Sequence, residues 1–383
     1  MSSRLRLCHV FPNFGHGGPE VRTSGLINAL GTDFEHVIIA LNGNFSGRSR
    51  LRADAPVRFV TPSARTPCGL GPLLRKQHAD LLLTYGWGGT DALLGARLAG
   101  ISRVVHGEDG FLPDEAFRER PKRRLARRVL LRLAETIVVP SRTLCTVARD
   151  SWRIPPHHIA YIPNGVDLVR FSVRPPAERA RARSALGIAT AETVIGTAGI
   201  LRVEKNYRRL VRAFADAKIR KDTRLLILGE GPERNELVRL SAELGVAERV
   251  LMPGLVEDLS PYYAAMDVFA ISSDTEQMPI VLLEAMASAL PVVSTDVGDV
   301  SIMISAANKP FLVPIGDDRG FVDALAALVD GPMRMEVGAQ NRAKCEREFG
   351  LDAMIRAYRN LYRTFATGAR DHVPAIPTNA ETR

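Results

Sequence analysis

The chain is poor in cysteine and aromatic residues and has no long apolar run. Its four cysteines, Cys8, Cys68, Cys145 and Cys345, are far apart and form no C-x-x-C pair. That argues against a disulfide framework or a cysteine zinc site and for a reducing compartment. The N-terminal RLRLCHVF lacks the apolar centre of a secretory signal, and no apolar run approaches the length that crosses a bilayer. The expectation is a cytoplasmic protein. No D-x-D triplet occurs, and His157 and His158 stand side by side in a proline-flanked loop rather than at metal-ligand spacing. Neither a metal ion nor another cofactor is expected.

What remains is ordinary for a soluble globular protein, with 46% apolar and 24% charged residues. A length of 383 residues allows two domains, each with a full core. The net charge of +9 is uneven: residues 1–170 carry 24 Lys and Arg against 14 Asp and Glu, and the remainder 27 against 28. The excess belongs to the first half and implies an anionic partner there: a membrane surface, a nucleic acid or an anionic substrate.

Short apolar runs at 5–11, 36–41, 57–61, 80–85, 103–106, 136–140 and 159–162 alternate with helical patterns such as 19–30, 90–99, 121–134 and 142–151. From 164 to about 193 the chain is rich in proline and charge. Strand patterns resume at 194–199, 223–229, 249–253, 267–272, 291–295 and 311–314, and helical patterns close the chain. Alternation of this kind predicts two α/β domains with parallel sheets, spanning 1–170 and 171–350. A last helix over 351–366 is expected to return to the first domain, with a disordered tail at 367–383. Ligands bind at the carboxyl ends of parallel strands, so both halves are expected to present those ends to a cleft between them.

The segment SSDTEQMPIVLLEAMASALPVVST places Glu276 and Glu284 eight positions apart, with Pro279 where the apolar run begins. Pro279 suits the first turn of a helix, so Glu276 reads as loop and Glu284 as the second turn. A carboxylate over a helix N-terminus can accept sugar hydroxyls beside a bound phosphate, or it can simply favour the helix dipole. The segment resembles the E-x7-E motif of retaining family-4 glycosyltransferases, which have the GT-B fold of two Rossmann-like domains.

Other segments resemble that family. NFGHGGPE, 13–20, follows the first strand. Gly15, Gly17 and Gly18 would let the backbone approach a donor phosphate. His106 ends a strand in RVVHGEDGF, where the family has an active-site histidine, and Glu108 and Asp109 would orient it or contact the acceptor. GTAGILRVEKN, 196–206, resembles the diphosphate-binding element. A lysine before a helix N-terminus is disfavoured by the dipole unless an anion is near, so Lys205 is either a phosphate ligand or a partner of Glu204. Ile200 stands where the family commonly has Arg. If 194–202 continues extended, Arg202 points to the same face as Ile200 and replaces that Arg.

The resemblance implies a retaining transfer from a nucleoside diphosphate sugar to a hydroxyl of a carbohydrate or lipid-linked acceptor, in polysaccharide or glycolipid assembly. Glu276 would hold the sugar, Glu284 the ribose, and Gln277, Met278, Pro279 and Ile280 the donor pocket, while Lys205 and Arg202 meet the leaving diphosphate. A sugar-nucleotide epimerase, a phosphorylase and an inactive sugar-nucleotide binding protein share the fold. The run FRERPKRRLARRVLLRL carries eight cations from Arg118 to Arg132, with Leu125, Val129, Leu130 and Leu133 at helical spacing. It reads either as a core stripe with a solvated face or as a helix lying on the anionic inner face of a membrane. Without interleaved aromatic residues it is not expected to bind nucleic acid.

Overall fold

The computed structural model describes residues 4–31, 33–111, 113–115, 118–216 and 218–368. The chain forms two compact units. One holds residues up to Asn164 and from Asp352 onward, the other Gly165–Leu351.

The first unit contains strands β1 (Leu5–Phe11), β2 (Phe34–Ala40), β3 (Val57–Val60), β4 (Leu81–Tyr85), β5 (Val104–Gly107), β6 (Thr136–Val139) and β7 (Ile159–Tyr161). They form one sheet in the order β3-β2-β1-β4-β5-β6-β7, every pairing parallel. All five residues of β4 are buried, as in a sheet covered on both faces by helices. The last helix, Leu351–Thr367, belongs to this unit. Its Tyr362 ring lies edge-on to His9 and Phe34, its Arg359 binds Asp33 at 2.9 Å, and Ala366 accepts from Arg103. Of the expected disordered tail, residues 369–383 lie outside the described residues.

The second unit contains β8 (Thr193–Ala198), β9 (Thr223–Leu228), β10 (Val250–Gly254), β11 (Val268–Ile271), β12 (Val292–Thr295) and β13 (Leu312–Val313) in the order β10-β9-β8-β11-β12-β13, again parallel. Successive residues serve opposite faces. Val194, Leu226 and Phe269 pack with Leu282, Leu283 and Met286; Ile195, Leu225 and Val268 pack with Leu210, Phe214 and Leu325.

The units divide after Asn164, not after residue 170 as the proline and charge content suggests. Val166 donates to the Phe349 carbonyl and accepts from Leu351, and both Val166 and Phe171 lie in the second unit's core. The two backbone bonds and the apolar burial pull residues 165–171 across.

Candidate functional site

In the second sheet β8 lies between β9 and β11. The chain leaves β8 toward one side and β11 lies on the other, so the loops after them diverge at a topological switch point, where α/β sheets bind ligands. Lys205 is on the loop after β8 and Glu276 on the loop after β11.

The backbone after β8 does not continue as a strand. The Arg202 N–H turns back to the Ile200 carbonyl at 2.9 Å, and Leu201 exchanges bonds with the neighbouring loop at Glu230 and Glu233. The expected parity of residues 200 and 202 on one extended face is therefore absent. Arg202 Nε lies 3.0 Å from Glu204 Oε1. A short turn, Val203–Lys205, follows. Asn206, at φ 44°, then caps the helix Tyr207–Phe214 by accepting from Arg209 N–H.

Three bonds tie this turn to the loop after β11. Ser272 Oγ donates to the Lys205 carbonyl at 2.9 Å, Asp274 N–H to the Glu204 carbonyl at 2.9 Å, and Asn206 Nδ2 to Asp274 Oδ2 at 3.0 Å. Arg209, mostly buried, reinforces them through Asp274, Asp318 and the Ser272 carbonyl. The result brings Lys205 Nζ to 2.6 Å from Glu276 Oε1, which also accepts from Ser273 Oγ at 2.8 Å. Lys205 thus pairs with Glu276 and not with Glu204. Gly298, at φ 55°, closes the loop from behind: a Cβ there would lie 2.5 Å from the Glu276 carbonyl oxygen.

Pro279 sits one residue outside the helix Ile280–Ala287, as its cap position. Gln277 and Ile280 are half-buried, and the Met278 side chain lies in the core. Glu284, on that helix, is 8% exposed and accepts from Tyr263 Oη at 2.8 Å. Tyr263 carried no signal in the sequence, since it stands 21 positions upstream in a separate short helix. Burial and the Glu284 charge hold its hydroxyl well above the ordinary range. Burial, with the Glu276 charge, does the same to Tyr207.

In the first unit β1 lies between β2 and β4, a second switch point. Gly17 caps, and Gly18 begins, the helix Gly18–Leu30 after β1. Its two buried charges, Glu20 and Arg22, carry only a faint signal in the sequence, an acid and a base two positions apart near the start of a helix otherwise free of charge. Arg22 forks both oxygens of Asp109 and reaches Asn164 at 3.2 Å. Burial, chiefly, raises the Glu20 carboxyl. His106 and Glu108 are 0% and 1% exposed. His106 Nδ1 meets Thr84 Oγ1 at 2.8 Å, and Nε2 lies 3.7 Å from Glu108 Oε2.

The basic run forms the helix Pro121–Leu130 and a further turn, Leu131–Leu133. Its stripe is divided. Leu130 and Leu133 are half-buried, but Leu125 and Val129 are 62% and 61% exposed, beside exposed Lys122, Arg124 and Arg132. Among the described residues no three His, Cys, Asp or Glu side chains form a group able to hold a metal ion, and no helix is long and apolar enough to cross a membrane.

A model described as glycosyl transferases group 1 matches residues 192–331, and one described as glycosyltransferase family 4 matches residues 16–170. The chain is 30% identical over 289 residues to a D-inositol 3-phosphate glycosyltransferase of Corynebacterium urealyticum, covering 71% of this chain and 68% of that one. It is 29% identical over 177 residues to an N-acetyl-alpha-D-glucosaminyl L-malate synthase of Bacillus anthracis, 46% of each. The chain spans about half the length of several curated relatives that it matches. Among solved structures, Anabaena HepE in complex with UDP and glucose matches 94% of this chain and 100% of its own, with a TM-score of 0.79 at 19% identity. At that identity the likeness is one of fold.

Proposed function

The chain belongs to the family-4 glycosyltransferases, and from that premise we propose that it moves a sugar from a nucleoside diphosphate sugar to a hydroxyl of a carbohydrate or lipid-linked acceptor, with retention at the anomeric carbon. The observation that carries the reading is the Lys205–Glu276–Ser273 cluster at the β8/β11 switch point. A cation at the start of a helix beside a carboxylate suits a diphosphate joined to a sugar. Crystals of HepE, of the same fold, hold UDP and glucose.

In the reaction the bond from the anomeric carbon to the diphosphate breaks, and a bond to the acceptor oxygen forms on the same face. The acceptor proton passes to the departing phosphate. Lys205, Arg202 and the N-terminus of the helix Tyr207–Phe214 meet the charge that develops there, typically the largest catalytic contribution. Glu276 holds sugar hydroxyls and Glu284 ribose hydroxyls, and His106 is assigned to the transferred sugar by its likeness to the family's active-site histidine. The backbone of Gly17 and Gly18 approaches the donor phosphate, and Gln277–Ile280 line the donor pocket. Asp109 is engaged by Arg22, so its part is to order the acceptor side rather than to accept a proton.

The exposed Leu125 and Val129 among cations suit a peripheral seat on an anionic membrane, the place of a lipid-linked acceptor. The deciding experiment is a screen of UDP-, GDP- and ADP-sugars with lipid-linked and free glycan acceptors, the product anomer being read by proton NMR. Transfer with retention supports the proposal. Donor conversion without acceptor identifies an epimerase, and donor binding without any turnover a binding protein.

A further inference from the structure

Arg127 has no part in the chemistry above. It is 0% exposed, and its guanidinium lies 5.2 Å from the Trp87 ring centre and 5.3 Å from those of Phe111 and Trp152. Nη1 donates to Glu115 at 3.2 Å and to Glu119 at 2.9 Å, and Nη2 to Glu115 at 2.9 Å. Trp152 Nε1 binds the same Glu119 oxygen at 2.7 Å. Three rings and two carboxylates fix this cation in one place.

Its third nitrogen faces elsewhere. Arg127 Nε lies 4.0 Å from Glu108 Oε2, and that oxygen lies 3.7 Å from His106 Nε2. All three atoms are buried and lack a hydrogen-bond partner. Unpaired buried polar atoms are rare, and three meeting at one point call for a reason. Neutralising Arg127 is not that reason, because Glu115 and Glu119 already do so.

We propose that Arg127 is a positioning residue for His106 and acts through Glu108. The fixed cation holds the Glu108 carboxylate toward Nε2. The imidazole then keeps its proton on Nε2 and accepts from Thr84 Oγ1 at Nδ1, so the ring has one tautomer and one orientation at the carboxyl end of β5. The consequence for turnover rests on the reading of His106 as a residue near the transferred sugar; the tautomer does not.

The test is ¹⁵N NMR of the histidine-labelled full chain, with His106 assigned by loss of its signals in His106→Gln. The wild type is expected to be protonated on Nε2. Glu108→Met and Arg127→Met are expected to move the proton toward Nδ1, and Arg127→Lys to restore the wild-type pattern. Turnover in the two Met variants is expected to fall about tenfold or more, the loss of a charge-assisted contact, with donor KM within about twofold. Should Arg127→Met fail to fold, Glu108→Met and Arg127→Lys carry the test. A wild-type tautomer in folded Glu108→Met overturns the proposal. If the wild type transfers no sugar, the reading of function fails, and the tautomer measurement still decides the role of Arg127.

Discussion

Lys205 Nζ and Glu276 Oε1 lie 2.6 Å apart although 71 positions separate them in sequence, and both side chains are mostly buried. A pair in this setting is costly to break from one side. An arriving diphosphate can take Lys205 as its own counter-ion and leave Glu276 to the sugar hydroxyls. Lys205→Met is therefore expected to weaken nucleoside diphosphate binding by about tenfold to a hundredfold, the worth of a charged hydrogen bond. Glu276→Gln is expected to lower kcat by a similar factor while nucleotide affinity stays nearly unchanged. Calorimetry with the free nucleotide, alongside steady-state rates, separates the two; equal effects on both quantities in both variants would contradict the division of roles.

The Tyr263–Glu284 bond of 2.8 Å makes a second, smaller prediction. Tyr263→Phe removes a neutral donor from a carboxylate proposed to hold ribose. It is expected to weaken nucleotide binding by about fivefold, near 1 kcal/mol, with kcat retained. Glu284→Ala is expected to lose tenfold or more, about the worth of a charged hydrogen bond. Titration of both variants with the same nucleotide checks the order; a larger loss for Tyr263→Phe would mean that the tyrosine, not the carboxylate, faces the ligand.

The fold could be read because parallel strands buried on both faces are short apolar runs, and all of β1 to β13 fall on such runs. The helix Pro67–Lys76 was not legible: Pro67, Gly69, Gly71 and Pro72 hide its period, and what holds it is burial of Leu70 and Leu74 in the first unit's core. Glu276 and Lys205 were visible through residue type and position, but their pairing comes from the Ser272, Asp274 and Asn206 bonds, which are tertiary. The expected shared face of residues 200 and 202 fails because one backbone turn at Ile200 ends the strand. For the basic run both a core stripe and a membrane-facing one stood open. Periodicity marks a stripe but not its direction, and here Arg127 is buried while Leu125 and Val129 face outward.

Stability should depend on the buried histidines of the first unit. His9 Nε2 and His36 Nδ1 meet at 3.0 Å. Burial lowers His36 to about 4, and burial with the His36 neighbour lowers His9 well below its ordinary value. The unfolded chain then binds more protons than the folded one between about pH 4 and the ordinary histidine range, so stability falls as pH drops through that window. The slope approaches roughly 1 kcal/mol per pH unit for each histidine. Glu20, raised by burial, acts in the opposite sense: its contribution is lost as pH rises through its folded value. Melting temperatures from pH 7.5 to 5 should fall for the wild type and fall less steeply for His36→Gln. Parallel curves would remove His36 as the cause.

The outward face of the helix Pro121–Leu130 predicts lipid binding. Leu125 and Val129 supply the apolar contact, and Lys122, Arg124 and Arg132 the attraction to anionic headgroups, about 1 kcal/mol per cation near the surface. Vesicle flotation should recover the chain with anionic but not neutral liposomes, and less of it as salt rises. The Leu125→Asp/Val129→Asp double variant should lose flotation and keep its melting temperature, since both side chains are exposed. Equal recovery on neutral and anionic vesicles would leave this face a solvated one.

Arg202 decides how the leaving group is neutralised. Its partner Glu204 is 5% exposed, and Glu204 Oε2 is buried with no hydrogen-bond partner. Arg202 keeps its Nε on Glu204 while its side chain remains 37% exposed, so the guanidinium is still within reach of a ligand. A diphosphate offers the planar fork two oxygens at once, a geometry that lysine cannot reproduce. Arg202→Lys is therefore expected to reduce turnover clearly and Arg202→Ala more so, by about tenfold to a hundredfold, as for a charged hydrogen bond. If Arg202, Lys205 and the helix N-terminus together carry the phosphate charge, transfer should also persist in EDTA. The two measurements bear on one claim from opposite sides. Wild-type turnover in Arg202→Ala would leave Ile200 uncompensated and assign the charge to another cation. Complete loss in EDTA, restored by magnesium or manganese, would assign it to a metal ion carried in with the donor.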